Sequence, residues 1–183
     1  MGGGLSDPDP KLRDRVIEAC SKWIDIAHNL GAGSVRCDPG KINSADLSST
    51  VASYRKLSAY GASKSVAVIV ENHGGVGSEH PEELVRIFQE VGGDFFGALP
   101  DFGNFPTRET RERGLQLLFP YARMVCHAKV PRRKQDGDEA QFVARCVQIS
   151  KDAGFRGVYS IEYGGSDPYG GVQHIIDLLL QYL

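Results

Sequence analysis

The stretch VIVENHGG, residues 68–75, runs from apolar residues directly into Glu71, Asn72 and His73 and then into two glycines. A continuous apolar run that ends at glycines is typical of a strand buried on both faces, as in a parallel sheet. Here the predicted strand ends on the carboxylate side chain of Glu71. We therefore expect Glu71 to point into a site, with His73 two residues further along the extended chain and on the same side.

Apolar strands and helical segments alternate along the rest of the chain. Further strands are predicted in GSVRCDPG (33–40), DFFGALPD (94–101), RMVCHAKV (123–130) and GVYSIEYGG (157–165). Helices are predicted over about 10–30, 43–63, 81–91, 107–119, 138–153 and 172–183, the first with Asp9 as N-cap and an apolar face that includes Trp23 and Leu30. This alternation indicates an α/β fold in one domain over residues 1–183, with residues 1–10 as a flexible N-terminus.

Composition excludes several classes of function. The 183 residues carry a formal charge of -2, from 21 basic and 23 acidic residues spread along the chain, so there is no basic stripe for nucleic acid. The four cysteines form no Cys-x-x-Cys pair, which favours reduced thiols over a zinc knuckle or a redox dithiol. No apolar run approaches the roughly 20 residues that a membrane span needs, so we expect a soluble, cytoplasmic protein.

Four chemically related residues stand at the carboxyl ends of four predicted strands: Glu71, Asp101, His127 and Glu162. In a (β/α)8 barrel the active site is built there from several strands, whereas an open doubly wound sheet binds ligands near one switch point. A closed ring therefore suits the set better. Three carboxylates and one imidazole favour a divalent Mn²⁺, Mg²⁺ or Co²⁺ ion over a structural zinc, and Zn²⁺ remains the alternative cofactor.

The motifs VENHGG, DFGNF, CHAK and SIEYGG, in this order and spacing, resemble the sugar phosphate isomerase/epimerase superfamily. These are the xylose isomerase-like TIM barrels, which include ketose 3-epimerases and the apurinic endonuclease branch. The resemblance covers Gly33 to the C-terminus. It implies that strands four, five, six and eight supply one metal site from Glu71, Asp101, His127 and Glu162. It also implies that Glu71 and Glu162 act as acid and base in isomerising or epimerising a sugar or sugar phosphate through an enediolate.

Four further residues are candidates for binding the substrate: His73, Asn104, Lys129 and Arg36. For His73 a bond to a neighbouring loop carbonyl is an equal alternative, and for Lys129 and Arg36 so is a salt bridge. Asn104 stands where the endonuclease branch carries a histidine. Because an amide is a poor metal ligand, Asn104 argues against a multi-metal nuclease.

The chain is short for the fold that the resemblance implies. A full barrel of this kind takes about 250 residues, and the first predicted helix already precedes what looks like strand three. We therefore expect five or six βα units, strands three to eight, with an abbreviated strand around residues 130–137. An incomplete barrel exposes sheet edges, so a homo-oligomer or a partner protein could cover them. A fragment, a truncated gene product and a non-catalytic remnant or interaction module are the alternatives to an active isomerase.

Overall fold

A computed structural model describes residues 4–130 and 138–183, and within these ranges five strands alternate with six helices, as predicted. The strands are β1 (Ser34–Arg36), β2 (Ala67–Glu71), β3 (Phe96–Leu99), β4 (Val125–Ala128) and β5 (Val158–Ile161). The helices are α1 (Pro10–Leu30), α2 (Ser48–Ser63), α3 (Pro81–Val91), α4 (Arg108–Leu118), α5 (Glu139–Asp152) and α6 (Pro168–Leu180), and a 3₁₀ turn spans Phe119–Tyr121.

All strand pairs are parallel and follow the order of the chain. β1, β2 and β3 form one sheet in that order, and β4 pairs with β5. The two groups are joined where the His127 amide donates to the Pro100 carbonyl (2.9 Å) and the Phe102 amide donates to the His127 carbonyl (3.1 Å). The result is an arc of five strands from an incomplete barrel, and within the described residues β1 and β5 each have one strand neighbour.

The direct pairing of β4 with β5 corrects one prediction. His127 on β4 lies in register with Ser160 on β5, so no strand can stand between them. Val130 is not in a strand, and residues 131–137, where the abbreviated strand was expected, lie outside the described residues. The strands that lead to the four predicted ligands are therefore consecutive, and their numbering as four, five, six and eight is wrong.

The main core lies between the outer face of the sheet and the helices. Tyr54 of α2 is fully buried, its ring centroid is 4.7 Å from that of Phe96 on β3, and its hydroxyl donates to the Cys37 carbonyl (2.7 Å). Burying a side chain of this size stabilises the fold by roughly 1.5–3 kcal/mol. On the inner face Ala67, Ile69 and Leu99 form a small second cluster. The two clusters fix the strands whose ends carry the candidate site.

Leu5 and Ser6, within the segment predicted to be flexible over residues 1–10, pack against the rest of the fold. Leu5 is fully buried, its carbonyl accepts a hydrogen bond from Ser53 Oγ (2.7 Å), and the Ser6 amide donates to the Pro39 carbonyl (3.0 Å). One buried leucine thus holds this part of the chain against α2. Asp9 caps α1 as expected, with its carboxylate accepting from the Lys11 amide (2.9 Å).

The exposed large apolar side chains of the described residues are confined to three places. Leu12, Trp23, Ile26 and Leu30 lie on α1; Tyr169, Leu180 and Leu183 lie on α6 or just after it; Met124 and Val158 lie at the base of β4 and β5. The predicted apolar face of α1 is therefore only partly covered, with Trp23 50% and Leu30 79% exposed. The Met124 side chain rests against Gly33, at the start of β1, where a Cβ would overlap it.

Two expectations from composition can be checked against the described residues. The four cysteines are free thiols, of which Cys37, Cys126 and Cys146 are buried. Among these residues, none of the helices has the length and apolar character that crossing a bilayer requires.

Candidate metal centre

The structure brings the four predicted ligands together. One donor atom from each of Glu71, Asp101, His127 and Glu162 lies within 4.8 Å of the others. The side chains of Glu71 and Asp101 are 0% exposed and that of His127 is 19% exposed, whereas that of Glu162 is 47% exposed. The four residues therefore lie at the carboxyl edge of the sheet, where three of the side chains are shielded from solvent and that of Glu162 is exposed.

Asp101 is oriented by the loop that follows it. The amides of Gly103 and Asn104 both donate to its Oδ1 atom at 2.8 Å. Its Oδ2 atom is buried and accepts no hydrogen bond; Lys129 Nζ lies 2.8 Å away, close enough for an ion pair but outside hydrogen-bonding angles. Because the two backbone amides donate to Oδ1, Oδ2 is the oxygen that remains for a metal ion, and this fits a role of Asp101 as a metal ligand.

Glu71 is held by three neighbours. Arg36 Nη1 contacts its Oε2 atom, Asn104 Nδ2 donates to its Oε1 atom (3.1 Å), and His127 Nδ1 lies 2.9 Å from the same oxygen. A fully buried carboxylate is tolerated only when such partners compensate for its lost hydration. Arg36 and Asn104, both predicted as substrate-binding residues, thus lie at the site and contact the carboxylate of Glu71.

His127 is influenced by two carboxylates. Its Nδ1 atom is 3.6 Å from Asp101 Oδ2 and 2.9 Å from Glu71 Oε1. Asp101 and then Glu71 raise the pKa of His127 from 6.5 to about 9, against the opposing effect of burial. Without a metal, His127 is therefore a positively charged imidazolium, with a proton on both ring nitrogens, at neutral pH. Because a metal ligand must be deprotonated, binding an ion here would release one of these protons.

Lys129 lies inside the ligand cluster rather than beside it. Its ammonium pairs with Asp101 Oδ2, contacts Glu162 Oε2 and lies 3.3 Å from Asn104 Oδ1, and its side chain is only 13% exposed. Burial lowers the pKa of Lys129, but Asp101 and Glu162 outweigh it, so the pKa is raised. Lys129 is therefore a charged member of the site.

His73 is the one candidate that the structure does not bring to the cluster. It is exposed, and in the described residues no hydrogen bond or ion pair joins its side chain to the four ligands. Its backbone closes a tight turn with Val76, through hydrogen bonds of 3.0 and 2.7 Å. Gly75 adopts a φ of 75° in that turn, which explains the glycine at this position.

Asn72 is a site residue that sequence analysis missed. It is fully buried; its Oδ1 atom accepts from the Asp101 amide (2.8 Å) and its Nδ2 atom donates to the Asp101 carbonyl (3.2 Å). The alternation of side chains along a strand placed it opposite Glu71 and so away from the site. A buried amide directly after a ligand was the available signal.

A pocket of about 250 Å³ adjoins the cluster. It is lined by Lys129 and Glu162 from the cluster and by Val130, Tyr163, Gly164, Gly165 and Ile175. The exposed carboxylate of Glu162 thus lies between the other ligands and a space open to a small molecule.

Comparison with known proteins places this geometry in a family. A model of the xylose isomerase-like TIM barrel matches residues 1–182, so the match begins well before Gly33, where the resemblance had been expected to begin. No curated protein matched the sequence.

Solved structures with the same fold share little sequence with this chain. A xylose isomerase-like TIM barrel protein from Mycobacterium smegmatis, in complex with magnesium, is 18% identical with a TM-score of 0.72, covering 98% of this chain and 71% of that one. D-psicose 3-epimerase from Clostridium cellulolyticum H10, with D-tagatose, is 16% identical with a TM-score of 0.73, and the match covers 98% of this chain and 74% of that one. D-allulose 3-epimerase from Methylomonas sp., with D-allulose, is 15% identical with a TM-score of 0.77, and the match covers 98% of this chain and 73% of that one.

The family model spans nearly the whole sequence, and the arc of parallel strands with its ligand cluster agrees with that match. This chain belongs to the xylose isomerase-like TIM barrel family.

Proposed function

We propose that the protein is a divalent-metal-dependent isomerase or epimerase of a sugar or sugar phosphate. The observation that carries the proposal is the cluster of four donor atoms within 4.8 Å, delivered by consecutive strands. The fold of sugar epimerases supports it, as does the Oδ2 atom of Asp101, which accepts no hydrogen bond from the backbone. We place the activity in the cytoplasm and on a small molecule rather than on nucleic acid.

Glu71, Asp101, His127 and Glu162 would hold the ion. Mostly hard oxygen donors suit Mn²⁺, Mg²⁺ or Co²⁺, with Zn²⁺ as the alternative. When bound, the ion would act as a Lewis acid that makes a proton next to the substrate carbonyl easier to remove. The magnesium complex of one structural neighbour is consistent with this choice.

Glu71 and Glu162 would transfer the protons. They stand at the ends of β2 and β5, with β3 and β4 between them, so they can face a substrate from two sides. One carboxylate would remove a proton from the carbon next to the carbonyl, and the other would return a proton to the opposite face. Arg36 and Asn104 fix the orientation of Glu71, whereas the exposed Glu162 keeps freedom to move.

Solvent proton exchange gives the direct test. The protein would be incubated with Mn²⁺ and a panel of ketoses and ketose phosphates in D₂O, beginning with D-allulose and D-tagatose. We expect a second ketose and deuterium next to the carbonyl by NMR, and losses of at least about a thousandfold in Glu71→Gln and Glu162→Gln, with exposed Glu90→Gln as control. Mn²⁺ binding without exchange in any substrate would contradict the proposal.

A second candidate is an interaction module that completes its sheet with a second copy. The apolar side chains left exposed on α1, on α6 and at the sheet base favour it, and so do β1 and β5, each of which has one strand neighbour within the described residues. Light scattering on purified protein should then show an oligomer that a Trp23→Ser, Leu30→Ser double variant dissociates. A wild-type chain that stays monomeric at high concentration would exclude a second copy as the occupant.

A further inference from the structure

Lys129 occupies the position between two metal ligands. Its ammonium lies 2.8 Å from Asp101 Oδ2 and also contacts Glu162 Oε2. The side chain crosses Gly103, where a Cβ would meet its Cγ and Cδ atoms, so a well-defined path leads it into the cluster. The ammonium is therefore a built part of the site and not a surface charge at its edge.

The oxygen that Lys129 holds is the one that a metal needs. Both loop amides donate to Asp101 Oδ1, which leaves Oδ2 as the atom able to coordinate an ion. An ammonium and a divalent ion on the same oxygen would lie only a few ångströms apart in a shielded site, where like charges repel strongly. The two cations therefore compete for Oδ2.

The distribution of charge among the remaining groups points the same way. Arg36 pairs with Glu71 and with Asp38, its Nη2 atom 2.6 Å from Asp38 Oδ2. Among the described contacts, Asp101 and Glu162 share Lys129 as their lysine or arginine partner. Lys129 thus joins the two carboxylates at the point where the four donor atoms converge, which is the place that a divalent ion would take.

We propose that Lys129 is an internal counter-ion which stabilises the metal-free site and which the divalent metal displaces. The inference rests on the proposed metal site and adds an exchange step to it. Asn104 Oδ1, which already accepts a hydrogen bond from the ammonium at 3.3 Å, would keep Lys129 at the site after the exchange. Because Lys129 also lines the adjoining pocket, the displaced ammonium becomes available to an oxygen atom of the substrate.

The test is Mn²⁺ titration by calorimetry at low salt, with no substrate present. Lys129→Met should bind Mn²⁺ at least about tenfold more tightly than the wild type, because the competing charge is gone. Lys129→Arg, which retains the charge, should stay near the wild-type affinity. Lys56→Met, which removes a positive charge from an exposed lysine, should bind like the wild type.

Thermal unfolding without metal supplies an independent measurement. Lys129→Met should unfold at a lower temperature than the wild type, and added Mn²⁺ should raise its unfolding temperature by more than that of the wild type. Equal or weaker Mn²⁺ binding by a folded Lys129→Met would overturn the exchange and leave the metal site intact. No Mn²⁺ binding by any variant would overturn the metal site and the exchange together.

Discussion

Asn72 and Asp101 are joined by two hydrogen bonds that continue the β2–β3 ladder through a side chain. The ladder itself ends at the pair Glu71 and Leu99, and the Asn72 amide then binds both the amide and the carbonyl of Asp101. A side chain thus replaces a further step of the strand, and the backbone of Asp101, a proposed metal ligand, is fixed at the point where regular pairing stops.

Replacing Asn72 by alanine should destabilise the protein and weaken metal binding. The substitution leaves a buried amide and a buried carbonyl of Asp101 without partners, which costs about 2–4 kcal/mol of unfolding free energy. Urea unfolding of the metal-free protein measures it, and Asn43→Ala, at an exposed site, should cost less than about 1 kcal/mol. An unchanged urea midpoint in Asn72→Ala would show that the two bonds do not matter.

Asp101→Asn should abolish tight binding of Mn²⁺. Because the amides of Gly103 and Asn104 donate to Oδ1, the single oxygen of the asparagine would face them and its NH2 group would replace Oδ2. We therefore expect at least about a hundredfold weaker binding by calorimetry. Asp152→Asn, at an exposed site on α5, is the matched control. Stripping the wild type with a chelator should lower its unfolding temperature, while Asp101→Asn should be insensitive to the chelator.

Glu112 should make stability depend on pH in the acidic range. Arg108 and Arg145 lower the pKa of Glu112 from 4.5. A carboxylate with a depressed pKa contributes stability above its unfolded pKa, and this contribution is lost as the pH falls through the folded value.

The variant Glu112→Gln should therefore cost about 0.5–1 kcal/mol at pH 7, the size typical of partly exposed ion pairs, and less near pH 3. Urea unfolding at the two pH values measures the difference, with Glu90→Gln as control. A cost that persists undiminished at the acidic pH would show that packing, not charge, is responsible.

Gly61→Ala should be strongly destabilising, although alanine normally favours a helix by about 1 kcal/mol over glycine. A Cβ at Gly61 would overlap the backbone carbonyl of Val66, just before β2, and that carbonyl cannot move without shifting the strand that carries Glu71. We expect a cost of about 2 kcal/mol or more. Gly74→Ala, in open space, should be tolerated. Equal stability of the two variants would mean that α2 adjusts freely.

The strands and the convergence of the four candidate ligands could be predicted because both depend on local pattern. Apolar runs that end on Glu71, Asp101, His127 and Glu162 mark buried strands with polar ends, and parallel strands bring such ends together. The pairing of β4 with β5 could not be predicted, since the length of the connection between them allowed another strand. The burial of Leu5 depends on contacts distant in sequence, with Ser53 and Pro39.

Within the site, sequence spacing identified Arg36 and Lys129 but not what they contact. Both are paired with ligand carboxylates, and only three-dimensional geometry shows which oxygen each cation holds. Asn72 was missed because alternation along a strand assigns it to the outer side, where its amide nevertheless reaches the neighbouring strand's backbone.

The contact of Met124 with Gly33 brings the bases of β4 and β1 together across two intervening strands. Met124 adopts a φ of 66°, an uncommon backbone conformation for a residue with a side chain. Met124 therefore links two strands of the arc that are not neighbours in the sheet. A segment that pairs with β1 or β5 would add hydrogen bonds to an arc that already contains this internal contact.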